Sequence, residues 1–79
     1  MAHFAEIDPE GYVIRVLVVD NADITGPDGQ ESEALGKAFL RQLVGGVWVQ
    51  CSYNGNFRGI YPGPGCRYDK DADTFLPPV

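Results

Sequence analysis

Seventy-nine residues leave room for one domain, residues 1–79, and too little core for a second. A net charge of −5, with only six Lys and Arg residues, disfavours a phosphate-backbone partner, so no nucleic-acid role is expected. The hydrophobic share of 44% fits a folded chain, while no run nears the roughly 18 apolar residues of a membrane span.

The N-terminus MAHFAEIDPEG lacks the basic-then-apolar order of a secretory signal, so synthesis in a cytoplasm without a membrane partner is expected. His3 to Asp8 is a short strand candidate, and Pro9-Glu10-Gly11 is a turn signal. Tyr12 to Asp20, YVIRVLVVD, is the strongest strand in the chain, β-branched and interrupted only by Arg15. A run apolar on both faces predicts a central strand, paired with the first as an antiparallel hairpin.

Asn21 to Gly29 is loop. Asp28 with Glu31 has capping-box spacing and predicts a helix from about Gln30 to Val44. Leu35, Phe39 and Leu43 fall at i, i+4 and i+8 and predict its buried stripe, with Glu33 and Lys37 paired on the wet side. Gly45-Gly46 supplies a left-handed stop.

Val47 to Tyr53 reads as a third strand, with Val47, Val49 and Cys51 on one face and Trp48, Gln50 and Ser52 on the other. Asn54-Gly55 is a strong hairpin-turn dipeptide, after which Phe57 to Tyr61 is expected to return as a brief edge strand. Cys66 to Asp69 and Thr74 to Leu76 then pair across Lys70 to Asp73, before Pro77-Pro78 stops further pairing. The expected fold class is α+β: a small antiparallel sheet of ββαββ order with one helix packed on a face.

Two cysteines bracket the segment CSYNGNFRGIYPGPGC, from Cys51 to Cys66. A disulfide between them would contribute about 3 kcal/mol by restricting the unfolded chain. A reducing cytoplasm argues instead for two buried thiols, and both readings stand. Zinc needs four ligands, and Cys51, Cys66 and His3 are too few soft or imidazole donors. Asp69, Asp71 and Asp73 open like a calcium loop, but Thr74 holds the place of its glycine, so a polar hairpin tip is expected. His3 is the single histidine, with no nucleophile and orienting acid assignable around it, and it reads as a surface or packing residue. The glycine-rich loop carries no lysine and leads to a strand, so it is no phosphate cradle. No enzymatic activity, cofactor, metal or small-molecule substrate is therefore expected.

Trp48 and Phe75 are expected to complete the core. Tyr53, Phe57 and Tyr61 lie where glycine and proline hold the backbone near the surface, and tyrosine and arginine are favoured as interface anchors. The predicted protein-contact set is Tyr53, Asn54, Asn56, Phe57, Arg58, Tyr61 and Pro62. For Arg58 the alternative is a structural pairing with a carboxylate or a backbone carbonyl.

The runs HFAEID, VIRVLVVDN, ESEALGKAFL, GGVWVQ and SYNGNFRGIYPGPG, followed by RYD and FLPP, resemble a family of short proteins of tailed bacteriophages, marine ones especially. The resemblance spans nearly the whole chain, with SYNGNFR and YPG its most specific parts. It implies a virion component, most simply a capsid decoration or cement protein that binds the head surface or its own copies. A tail, baseplate or fibre part is the alternative, and a non-virion binder that modulates the host is another. The resemblance also implies hydroxyl or aromatic residues where Cys51 and Cys66 stand, making the cysteine pair a local addition.

Overall fold

The apolar run expected at the centre of the sheet forms its edge. A computed structural model describes residues 2–78 and gives β1 (Ala2–Ile7), β2 (Val13–Val19), a short 3-10 turn (Asn21–Asp23), α1 (Glu33–Val44), β3 (Val47–Cys51), β4 (Arg67–Asp69) and β5 (Thr74–Leu76). The first three strands form an antiparallel sheet in the order β2-β1-β3, and β4-β5 forms a separate two-stranded sheet. The α+β class holds, with the strands divided between two sheets.

The central strand is β1 because both its faces are covered. Phe4 packs with Ala2, Val19, Ile24, Leu40 and Trp48 on the helix side. Its neighbour Ala5 points the other way and packs with Val13, Val49, Cys51, Cys66 and Phe75 under the β4-β5 hairpin. Alternation along one strand thus seeds two cores, and the molecule has three layers: helix, sheet, hairpin. Trp48 and Phe75 are buried as expected, one in each core.

The β1-β2 turn forms where Pro9-Glu10-Gly11 marked it. Asp8 Oδ1 accepts from the N–H groups of Glu10 and Tyr12, and Gly11 takes a left-handed φ of 91°. One residue later the register slips, between Glu6 and Ile7, so that Ile14 bulges from β2.

The helix starts later than the Asp28 and Glu31 spacing predicts. Ser32 is the N-cap, its hydroxyl accepting from the Leu35 N–H at 3.4 Å. Asp28 spends its carboxylate on the Gln30 N–H in a local turn. The buried stripe is also displaced by one residue: Gly36 and Leu40 face the core, while Leu35 and Leu43 are exposed and Phe39 is half-buried. One residue is about 100° of helix rotation. Gly36 selects that face because a Cβ there would collide with the ring of Phe4. The Gly45 stop holds, with its N–H bonded to the Arg41 carbonyl at 2.9 Å.

After Cys51 the chain does not return as a strand. Asn54-Gly55 does turn, with the Gly55 N–H bonded to the Ser52 carbonyl at 3.1 Å, but the edge of β3 beyond it is filled by side chains. Arg58 and Gly59 have φ of 56° and 76°, a left-handed pair that cannot continue a strand, and Gly59 makes only a single bridge to Phe75. The last hairpin forms as expected, closed by an Asp69 turn and a left-handed Asp73. No helix among the described residues is long and apolar enough to cross a membrane.

Candidate functional site: an aromatic platform

The segment from Ser52 to Cys66 has no regular structure, yet it is pinned along its length. Ser52 Oγ accepts from the Asn56 N–H at 2.9 Å, closing the first turn. The Arg58 carbonyl accepts from the Phe75 N–H at 2.9 Å, tying the middle to β5. Gly65 donates to the Val13 carbonyl at 3.1 Å and the Cys66 carbonyl accepts from the Val13 N–H at 2.8 Å, tying the end to β2. A loop held at three places presents its side chains at low entropic cost.

Between these anchors Tyr53 and Tyr61 meet over His3. The Tyr53 ring stacks on the imidazole at 5.5 Å between centroids, Tyr61 meets it edge-on at 5.7 Å, and the tyrosine rings lie 5.1 Å apart. Tyr53 remains 64% exposed and Tyr61 37%. His3 lies on the sheet face opposite the helix, with Val18 of β2 and Cys51 of β3 as its cross-strand neighbours. The half-exposed Val18 therefore continues the platform across the sheet. Beside the rings a shallow groove of about 510 Å³ is lined by His3, Gln50, Tyr53, Asn54, Asn56 and Phe57. Burial pushes the Tyr61 hydroxyl above its usual pKa, with the neighbouring Cys51 and Tyr53 adding to the shift.

The predicted contact set divides in two. Tyr53, Asn54, Asn56, Phe57 and Tyr61 are exposed around this groove or its rim. Pro62 is not available for contact: its ring is fully buried and acts as an internal anchor for the loop. Arg58 is directed inward, donating to Glu33 Oε2 at 2.6 Å, to Asp73 Oδ1 at 2.8 Å and to the Gln50 carbonyl at 3.0 Å. Of its two readings the structural pairing is the one the geometry realises. Glu33, expected on the wet side with Lys37, also accepts the Gln50 N–H at 2.9 Å and joins helix to sheet. His3 was missing from the contact set because only the β1-β3 pairing brings it beneath the loop.

Cys51 and Cys66 are free thiols, both buried in the same core. Burial pushes the Cys51 thiol up to about 11, against the opposing effects of the Arg58 charge and a backbone hydrogen bond. The Cys66 sulfur accepts from the Gly63 N–H at 3.4 Å and braces the turn before β4. Among the described residues no three His, Cys, Asp or Glu side chains converge as a metal site. Asp69 is spent on its own turn, and Asp73 on Arg58 and the Tyr68 hydroxyl.

A second groove of about 570 Å³ separates the β1-β2 turn from the β4-β5 hairpin. Lys37, Arg67 and Lys70 line it together with Asp8, Glu10, Asp69 and Asp71, so neither sign of charge dominates. Comparison with protein-family models, with curated proteins and with solved structures finds no match for this chain.

Proposed function

We propose that the chain is a non-enzymatic protein-binding module, and that it acts as a decoration or cement protein on a phage head. The observation that carries the binding role is the His3–Tyr53–Tyr61 cluster, an exposed aromatic platform on a loop with internal anchors. Rigid tyrosines with adaptable asparagines beside them combine apolar contact area with hydrogen bonding, the chemistry of interface anchors. The virion setting is what the SYNGNFR and YPG resemblance supports. In that role the module stabilises the particle by binding only its assembled state. The acidic surface, net charge −5, favours a partner patch carrying lysine or arginine.

Mass spectrometry of purified particles, followed by heating with and without added protein, tests the reading. The chain is expected in the particle at high copy, and its addition to stripped particles is expected to raise their disruption temperature. Tyr53→Ala should weaken rebinding at least tenfold without loss of fold. A chain absent from the particle, or rebinding indifferent to Tyr53, would sink the proposal.

A further inference from the structure

The three-stranded sheet guards one edge and leaves the other open. On β3 the Gln50 N–H donates to Glu33 and its carbonyl accepts from Arg58, so side chains occupy the outer edge. With the backbone groups of Gln50 turned away from β1, its partner Phe4 turns its own toward Leu17 of β2. Alternation along β2 then aims the N–H and C=O groups of Val16 and Val18 outward. The outer side of β2 is taken only at its start, by Gly65 and Cys66 at Val13 and by Arg67 at Tyr12. From Ile14 to Val19 no hydrogen bond among the described residues reaches that edge. Ile14 and Val18 are 50% and 52% exposed. An apolar strand edge with unpaired backbone groups is a template for another strand.

We propose that this edge pairs with β2 of a second copy, antiparallel about a two-fold axis beside Val16. In that register Val16 faces Val16 of the other copy and the bulged Ile14 lies opposite its Val18, so the side chains meeting at these positions are all β-branched. On the helix side Arg15 faces Leu17 and keeps its guanidinium on Glu6 of its own chain at 2.7 Å, so no like charges are opposed. The same register carries the exposed Asp20 toward Tyr12 of the other copy, beside Arg67. Arg67 has no ion-pair partner within its own described chain, and the two-fold axis makes this complementarity twice over. The pairing uses none of the His3, Tyr53 and Tyr61 rings but shares Val18 at the margin of the platform, so Arg67→Glu, remote from those rings, separates its failure from that of the decoration reading.

Sedimentation equilibrium over a micromolar-to-millimolar series tests the pairing. The mass is expected to rise from 8.6 kDa toward twice that value with concentration. Val18→Lys, at an exposed position that leaves the β1-β2 ladder intact, should weaken association at least tenfold while the circular dichroism is unchanged. Arg67→Glu should weaken it too, and adding Asp20→Lys should restore it. Hydrogen exchange should slow at the Val16 and Val18 amides as concentration rises, while Leu17 stays protected throughout. A mass of 8.6 kDa at every concentration overturns the proposal. So does a dimer that survives Val18→Lys, or one that forms without slowing exchange at Val16 and Val18.

Discussion

Arg58 donates to Glu33 across 2.6 Å and so ties the C-terminal loop to the first turn of the helix. Both side chains also hold Gln50, one on its carbonyl and the other on its N–H, so the ion pair doubles as a cap on β3. Arg58 keeps a left-handed φ of 56° to reach this position. Strain of that kind costs about 1–3 kcal/mol and persists only where surrounding contacts hold it. Removing the guanidinium leaves the half-buried Glu33 carboxylate without its counter-charge. Arg58→Met is therefore expected to destabilise the fold by about 1–3 kcal/mol in urea melts, the cost of losing charge-assisted hydrogen bonds to a half-buried carboxylate and to the Gln50 carbonyl. Arg58→Lys should not restore it, because an ammonium cannot reproduce the fork that spans two carboxylates and a carbonyl. A Lys variant as stable as the parent would show that charge alone suffices.

The same cluster sets the acid limit of stability. Burial of Glu33 raises its pKa, but the Arg58 hydrogen bond, the Gln50 N–H and the charges of Arg58 and Lys37 together outweigh this and hold it below its usual value. Hydrogen bonds from Tyr68 and Arg58 lower Asp73 in the same way. A carboxylate depressed in the folded state contributes its full stability above the unfolded pKa. That contribution is lost as pH falls through the folded value. Unfolding free energy measured from neutral pH downward should thus hold level and then fall below the ordinary carboxylate range. Glu33→Gln is expected to lower the plateau and flatten the fall. An equally steep acid limb in that variant would place the linkage elsewhere.

Most elements were legible in the sequence, as were the β1-β2 and β4-β5 hairpins; the order of the strands in the sheet and the absence of a strand at Phe57–Tyr61 were not. Strand β2 announces itself through YVIRVLVV, yet its apolar excess reads as a central position when the strand is an edge. The short AHFAEI run takes the centre because Phe4 and Ala5 feed opposite cores, a fact set by the third strand and the hairpin. Turn chemistry at Pro9-Glu10-Gly11 and Gly45 could be read locally, since the backbone conformation is the signal. Helix facing could not, because the deciding residue, Gly36, has no side chain and counts for nothing in an apolar periodicity. The loop tyrosines were identified by composition. His3 joins them only through a register in which it lies opposite Cys51. Sequence left Arg58 open between contact anchor and structural pair, because the partners that decide it, Glu33 and Asp73, lie 25 and 15 residues away.

Gly36 gives a sharp test of the helix-sheet contact. In an exposed helix Gly→Ala is favourable by about 1 kcal/mol through propensity alone. Here the added methyl collides with the Phe4 ring and touches Ile24, both wholly buried. Overpacking of that kind costs typically about 1–3 kcal/mol. Gly36→Ala is expected to destabilise on balance. Pairing it with Phe4→Leu should recover part of the loss, as a smaller side chain makes room for the methyl. A stabilising Gly36→Ala would mean that the helix shifts freely on the sheet.

Cys51 bears on the alkaline limit of stability. Cys51 has its pKa pushed up from 9.0 to about 11 by burial. An acid whose folded pKa is raised keeps its full contribution below the unfolded value and loses it as pH rises through the folded one. Stability should therefore decline between about pH 9 and 11, as the unfolded chain ionises first. Tyr61 and Tyr68, also raised by burial, act in the same direction, so Cys51→Ala should soften the decline without abolishing it. The thiolate is the reactive form, and a buried thiol with a raised pKa is inert. Alkylation of Cys51 at pH 8 is thus expected to proceed only through opening of the core, slowing in proportion to stability and becoming fast in denaturant. Rapid labelling of Cys51 in the native protein would show that the β4-β5 hairpin lifts from the sheet independently of global unfolding.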